Sequence, residues 1–338
     1  MTSTNALLPW HQPYWQQLQA YLQQQRIPQA LLIVGAEGLG KQQLAEQFTA
    51  ALLCNTPQAN GMACGQCHDC RLYLAQTHPD VITVSRAVDK TSIGVEQIRQ
   101  LVSQLSLKPQ YAGYRIVLFQ AADSMNSNAA NALLKCLEEP SERSVLILIT
   151  DKPSKLPATI LSRCQQLTLS KPDTSLASTW LQQQQPELDS QQRQNLLQLA
   201  QGAPYLALSY AKTDVLTLYN RCFKTWIALA KQQSQPVLIA EEWHKLPNAM
   251  LLNWMALWLL DLLKCRFHAE AQALYNPNLA SDLLPLAQTL SATAVIKFYD
   301  QLLAQQKQIH TPINKQMLFE ALLIQWVQLN QQTKLPTP

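Results

Sequence analysis

Residues 115–164 constrain the fold of this chain more than any other stretch. Arg115–Phe119 and Ser144–Ile149 are short apolar runs rich in Val, Ile and Leu, a composition typical of strands buried on both faces of a parallel sheet. Between them, Asn126–Glu139 carries apolar residues at helical spacing, and Pro140 ends that pattern. The order strand, helix, strand predicts an α/β domain built on a parallel sheet.

A glycine-rich loop follows an earlier apolar run, Ala30–Val34, which reads as a strand. The loop fits the phosphate-binding pattern G-x-x-x-x-G-K through Gly35, Gly38, Gly40 and Lys41. Glycines let backbone N–H groups turn toward an anion, and the following helix adds its dipole. The next position, where a hydroxyl should hold Mg²⁺, is Gln42. The sequence therefore predicts impaired nucleotide binding; weak ATP or ADP binding through Lys41 stays open, as does a loop kept for its fold alone.

Four of the eight cysteines lie in one short segment with the spacing Cys54-x9-Cys64-x2-Cys67-x2-Cys70. Four thiolates at this spacing can form a closed tetrahedral zinc site. Because such a site leaves no coordination position open, it is predicted to be structural rather than catalytic. The other four cysteines are scattered through apolar segments, which is typical of reduced core residues.

Charge and hydrophobicity limit the class of protein. A net charge of +4 is too small to indicate nucleic-acid binding by itself. The N-terminus lacks the basic and apolar pattern of a secretory signal. The longest apolar stretch, Met250–Leu263, is interrupted by Asn253 and Asp261 and is too short to cross a membrane. We therefore expect a soluble cytoplasmic protein without a membrane partner, in which zinc is favoured over disulfides.

Two motifs of the opening stretch resemble a known family. NALLKCLEEP, residues 131–140, and LSRC, residues 161–164, are similar to the clamp-loader branch of the AAA+ ATPases, which serves bacterial DNA polymerase III. The cysteine segment also resembles the zinc module that this family carries at the same point of its fold. The resemblance is specific over residues 30–165 and implies a RecA-like AAA+ domain.

The resemblance also implies roles for individual residues. Counting back from Asn131, the family's acidic pair falls on Gln120 and Ala121, which can neither hold Mg²⁺ as carboxylates nor polarise a water. Ser162-Arg163-Cys164 resembles the arginine-finger motif, whose arginine reaches the γ-phosphate of ATP on a neighbouring subunit. Arg163, with Ser162 in its motif, is thus expected to act in trans, and the chain itself is not expected to hydrolyse ATP.

Three more positions are interpreted from the same resemblance. Asp123 is out of register with the acidic pair and is not expected to replace it. Thr150 matches a polar sensor position, for which a cap at the strand end is the interpretation that we favour. Tyr205 stands where the family has a second sensor arginine, so a further phosphate contact is missing.

Three domains follow from the resemblance. Residues 1–169 are the AAA+ domain with the zinc module at 54–70, residues 170–208 a small helical lid domain, and residues 209–338 an all-α collar domain that oligomerises. The sequence after residue 170 reads as helical, in agreement with this division. Residues 331–338 are expected to be a disordered tail.

The sequence suggests three possible functions for this chain. The first is a non-hydrolysing subunit of a pentameric clamp loader in the polymerase holoenzyme. Its implied partners are ATPase subunits of the gamma/tau type, which hold ATP and Mg²⁺, a delta subunit, the sliding clamp, and primed DNA reached through the complex. The second is an autonomous AAA+ ATPase acting on DNA, which needs the missing hydroxyl and acidic pair. The third is a zinc-dependent nucleic-acid binder, which needs a basic patch where only Arg71 stands. We expect the first.

Overall fold

The computed structural model describes residues 7–87, 90, 92–105, 109–111, 113–268, 270, 273–309 and 313–331. The chain divides into two compact units. Unit 1 is Met1–Leu188 with Gly202–Ala207, and unit 2 is Asp189–Gln201 with Leu208–Pro338. The predicted lid segment is thus shared between the units, and the three-domain division stays a prediction. Residues 332–338 of the predicted tail lie outside the described residues.

Unit 1 is built around a five-stranded parallel sheet with the strand order β2-β3-β4-β1-β5. The strands are β1 (Ala30–Val34), β2 (Val81–Val84), β3 (Arg115–Phe119), β4 (Ser144–Thr150) and β5 (Gln165–Thr168). β1, β3 and β4 are buried along their whole length, as their continuous apolar sequences require. The predicted α/β fold of the N-terminal part is confirmed.

The helices of unit 1 include some that pack on each face of this sheet. Their bounds are α1 (Gln12–Gln23), α2 (Lys41–Leu53), α3 (His68–Leu74), α4 (Val95–Leu105), α5 (Ser127–Glu138), α6 (Ala158–Leu161) and α7 (Thr174–Gln184). Successive residues of β1 point to opposite faces: Leu31 shares a core cluster with α1 and α2, and Leu32 shares one with α4 and α5. α5 begins where Asn126 Oδ1 accepts a hydrogen bond from the Ala129 N–H, at 2.8 Å.

Unit 2 is helical. Its helices are α8 (Ser190–Leu199), α9 (Pro204–Lys212, which begins in unit 1), α10 (Val215–Ala230), α11 (Pro236–Trp243), α12 (Asn248–Arg266), α13 (Ala280–Thr289), α14 (Ala292–Gln308) and α15 (Lys315–Gln331). Their core is rich in tryptophan: the rings of Trp226 and Trp326 stack at 4.0 Å. Trp258 Nε1 donates to the Tyr219 hydroxyl at 2.9 Å, which satisfies its one buried polar group.

Among the described residues, no single helix is long and apolar enough to cross a membrane. One helix pair, Pro277–Thr289 with Ala292–Gln308, meets the criteria of length and composition only when joined across a bend of 117°.

Candidate functional site

The glycine-rich loop joins β1 to α2 at the carboxyl edge of the sheet. Gly38 and Gly40 have φ angles of +78° and +79°, a left-handed backbone that glycine adopts without strain. A Cβ at Gly38 would lie 2.5 Å from Leu206 Cβ, and one at Gly40 would lie 2.5 Å from Leu8 Cδ1. A Cβ at the first loop glycine, Gly35, would lie 2.9 Å from the carbonyl oxygen of Leu169, the residue directly after β5. The predicted loop residues therefore come together, and other parts of unit 1 pack directly against them.

Side chains of the N-terminal segment also contact the backbone of the loop. Trp10 Nε1 and His11 Nε2 each donate to the carbonyl oxygen of Leu39, at 2.9 Å. Burial lowers the pKa of His11 to about 4, so the ring is neutral at pH 7 and offers no charge to a phosphate. On another side, the Tyr205 N–H donates to Gly38 O at 3.0 Å, and its hydroxyl donates to Gln43 Oε1 at 2.6 Å. Tyr205 thus makes a protein contact at the position where the sequence resemblance implies a phosphate-binding arginine in the family.

The cation of the loop, Lys41, is held inside the protein. Only 5% of its side chain is exposed, and Nζ lies 2.6 Å from Asp151 Oδ1. Nζ also donates to the carbonyl oxygen of Ala36, at 2.6 Å. Gln42 Nε2, by contrast, donates to Glu46 Oε1 at 2.8 Å, one turn along α2. Asp151 was not predicted as a site residue. Its one signal in the sequence is its place directly after Thr150, the predicted sensor position.

The two positions expected for the acidic pair directly follow β3. Neither Gln120 nor Ala121 carries a carboxylate, and the nearby Asp123 accepts a hydrogen bond from Thr150 Oγ1 at 2.9 Å. Thr150 Oγ1 also accepts a hydrogen bond from the Lys152 N–H at 3.1 Å, which is the strand-end cap expected from the sequence. Internal pairs therefore occupy the carboxyl edge of the sheet, where the sequence resemblance implies the Mg²⁺ site of a working ATPase.

Arg163 lies at the opposite edge of the sheet. It stands between α6 and β5, and β5 runs parallel to β1 from the pair Leu31–Gln165 to the pair Val34–Thr168. Three steps of strand, at about 3.3 Å each, separate these pairs by about 10 Å. The glycine-rich loop follows Val34 and Arg163 precedes Gln165, so the two predicted sites are not brought together.

The Arg163 guanidinium makes two contacts within unit 1. Nη2 lies 2.7 Å from Glu138 Oε1, and Nη1 donates to the carbonyl oxygen of Thr159 at 3.0 Å. Ser162 Oγ donates to the same carbonyl oxygen, at 3.2 Å, and so fixes the turn at the end of α6. The side chains of Arg163 and Glu138 are 36% and 50% exposed. A guanidinium in this position is accessible to an anion that approaches from outside the chain.

The four sulfurs of the zinc module (residues 54–70) form a cluster. The Sγ atoms of Cys54, Cys64, Cys67 and Cys70 all lie within 4.8 Å of one another. Cys64 Sγ and Cys70 Sγ are 3.9 Å apart. A tetrahedral ion with Zn–S bonds of about 2.3 Å has sulfur–sulfur edges of about 3.8 Å, so this separation fits zinc. The cluster can hold a metal ion.

Hydrogen-bond donors surround the sulfurs. Thr56 Oγ1 donates to Cys64 Sγ at 3.3 Å, and the N–H groups of Gln66 and Cys67 donate to the same sulfur at 3.4 and 3.3 Å. These bonds, that of Thr56 first, lower the pKa of Cys64 to about 6 and favour the thiolate that binds metal. Thr56 was not singled out from the sequence, since a lone hydroxyl near a cysteine is a weak signal.

Two parts of the chain match family profiles. Residues 10–173 match the family described as DNA polymerase III, delta subunit, and residues 213–328 match DNA polymerase III, delta subunit, C terminal. The chain is 35% identical over 325 residues to DNA polymerase III subunit delta' of Pseudomonas aeruginosa, covering 96% of this chain and 98% of that protein. It is 32% identical over 327 residues to subunit delta' of Escherichia coli, covering 94% of each. It is also 34% identical over 160 residues to subunit tau/gamma of Haemophilus influenzae, covering 47% of this chain and 23% of that protein.

Proposed function

Since the chain belongs to the DNA polymerase III delta' family of clamp-loader subunits, we propose that it does not hydrolyse ATP itself but supplies Arg163 to the ATP site of a neighbouring subunit. The observation that carries this proposal is the placement of Arg163. Its side chain is about one third exposed and lies at the edge of the sheet opposite the glycine-rich loop of its own chain. A guanidinium there serves a nucleotide held by another subunit, not one held by its own loop.

The absence of hydrolysis by the chain itself has three supports among the described residues. Lys41, the loop cation, already pairs with Asp151. No hydroxyl stands at Gln42, and no carboxylate stands at Gln120 or Ala121. A missing Mg²⁺ ligand or water-activating group removes several kcal/mol of transition-state stabilisation, on the order of 10²-fold or more in rate. These losses disfavour the alternative of an autonomous AAA+ ATPase acting on DNA.

Arg163 would act by electrostatics and geometry. The neighbouring subunit, of the gamma/tau type, holds ATP and Mg²⁺. The planar guanidinium donates hydrogen bonds to γ-phosphate oxygens, on which negative charge is stabilised as the phosphoryl group is transferred. Ser162 keeps the turn that presents Arg163, through its bond to Thr159 O. Coupled to hydrolysis, the complex with a delta subunit would open the sliding clamp and place it on primed DNA in the cytoplasm.

We further propose that the four cysteines of the zinc module hold a structural Zn²⁺. The sulfur separations and the N–H and O–H donors around Cys64 support zinc. Four thiolates fill the tetrahedral shell, so no position is left for a substrate or a reactive water. The metal would cross-link a segment that has little core of its own.

Arg163→Ala in the reconstituted complex tests the finger. The complex should assemble, and clamp- and DNA-stimulated ATP turnover at the neighbouring site should fall by about tenfold or more, because a finger contributes to the transition state. Arg99→Ala is the matched control, since Arg99 is also exposed and also pairs with a glutamate of unit 1. Undiminished turnover in the Arg163→Ala complex would reject the proposed role.

A further inference from the structure

The partner of Arg163 inside unit 1 is a glutamate at an electrostatically unfavourable position, the C-terminal end of a helix. Glu138 is the last residue of α5, and Glu139 follows it directly. A carboxylate at the C-terminal end of a helix is disfavoured by the helix dipole, which leaves partial negative charge there. The pair with Arg163, at 2.7 Å, compensates for that cost. A residue that breaks a local rule in contact with a functional side chain is a candidate for a functional role.

The pair also determines what a phosphate must displace. In the structure Nη2 of Arg163 faces Glu138, and Nη1 donates to Thr159 O. Phosphate oxygens that approach Nη2 compete with the Glu138 carboxylate for its N–H donors, and the two anions repel each other, so binding of phosphate favours departure of the carboxylate. Because both side chains are more than a third exposed, the pair is worth only about 0.2–1 kcal/mol and opens readily.

We propose that Glu138 is a positioning residue, which holds the Arg163 guanidinium against the ends of α5 and α6 until the γ-phosphate of the neighbour's ATP takes its place. This role rests on the proposed function of Arg163. The exchange couples nucleotide binding by the neighbour to release of Glu138 in this chain. Displacement of Glu138 adds a free-energy cost to ATP binding by the neighbour. It adds none to the chemical step, since Glu138 no longer touches Arg163 once the phosphate is bound.

Glu138→Gln in the reconstituted complex tests the exchange. The KM for ATP of stimulated turnover should fall about two- to fivefold, the factor equivalent to a pair of up to about 1 kcal/mol, with kcat unchanged. The affinity of the complex for a non-hydrolysable ATP analogue should rise by the same factor. Glu139→Gln is the matched control: it removes the same charge from the same helix end, is also exposed, and makes no ion pair with Arg163 in the described structure. It should change neither quantity.

The double variant Glu138→Gln with Arg163→Ala separates this role from the finger itself. In the Arg163→Ala background, Glu138→Gln should have no effect, because its effect acts through the guanidinium. If Arg163→Ala impairs turnover but Glu138→Gln leaves KM and analogue affinity unchanged, the exchange is wrong and the finger stands. A lower kcat in Glu138→Gln also overturns it, since Glu138 would then act in the transition state. If Arg163→Ala itself has no effect, the proposed function fails.

Discussion

Single residues beside the glycine-rich loop decide what the loop contacts. His11 is fully buried, and its Nε2–H donates to the carbonyl oxygen of Leu39. Burial lowers the pKa of this histidine from 6.5 to about 4. Lys41 Nζ likewise contacts two groups of its own unit, Ala36 O and Asp151. These polar atoms of the loop region therefore make hydrogen bonds and an ion pair within the protein rather than with a ligand.

The buried histidine makes a prediction about acid stability. Between pH 6.5 and 4 the unfolded chain takes up a proton that the folded chain refuses, so the free energy of unfolding falls as the pH falls through this window. The two pKa values correspond to a loss of about 3 kcal/mol at most. His11→Gln, which is neutral at every pH, should flatten this part of the dependence of urea midpoints on pH. A slope unchanged in His11→Gln would contradict the assignment.

The zinc module contains little regular secondary structure of its own. Residues 54–67 contain no helix or strand in the described structure, and α3, which follows, has seven residues. A helix of that length is not stable by itself in water. Cys70 lies on α3 and Cys67 stands at its N-cap position, so a metal held by these thiolates would fix the helix to the preceding turn.

Removal of one cysteine ligand should therefore unfold the module locally. Cys67→Ser should weaken zinc binding by more than the roughly 10- to 100-fold that loss of an outer-shell partner costs, and should lower the melting temperature. Zinc content by elemental analysis after dialysis measures the first effect, and thermal unfolding measures the second. Cys222→Ser changes a buried cysteine of unit 2 and should keep the zinc content of the natural chain. Equal zinc content in both variants would remove the metal site.

In the whole molecule, a sheet and loop of the nucleotide-motor type are combined with an exposed arginine for which we propose a role at another subunit. The carboxyl edge of the sheet carries the pairs of Lys41 with Asp151 and of Asp123 with Thr150, whereas the opposite edge presents Arg163. Under the proposed function, Arg163 acts on ATP that a neighbouring subunit holds. Unit 2 adds a helical body with its own tryptophan-rich core.

The isolated chain should consequently be inert toward nucleotide. Addition of MgATP at millimolar concentration should not raise its melting temperature, although a ligand at 100 times its Kd would stabilise the fold by about 2.7 kcal/mol. It should also show no ATP turnover above a buffer blank. The Lys41→Ala chain is the control, since its response to MgATP should match that of the natural chain. A nucleotide-dependent stabilisation lost in Lys41→Ala would show that the loop still binds phosphate and that its pair with Asp151 opens.

The sequence by itself determined the elements and the short-range sites. Strands β1 and β3 have the predicted bounds, and α5 differs by one residue at each end, because apolar spacing, the Asn126 cap and Pro140 are local signals. The cysteine spacing likewise predicted that four sulfurs would meet, and they do. These properties depend on residues near one another in the chain.

Only the tertiary structure decided which side chains meet across the fold. Asp151 reaches Lys41 because β1 and β4 are neighbours in the sheet, and Leu206 meets Gly38 because a later segment returns to the loop. The pair of Glu138 with Arg163 likewise forms only when the end of α5 lies beside the turn before β5. Periodicity fixes which face of an element is apolar, but it holds no information on which partner a polar side chain finds. That choice follows from strand order and packing. In this chain, strand order and packing pair the polar groups around the glycine-rich loop with one another, whereas a phosphate site would keep such groups for its ligand.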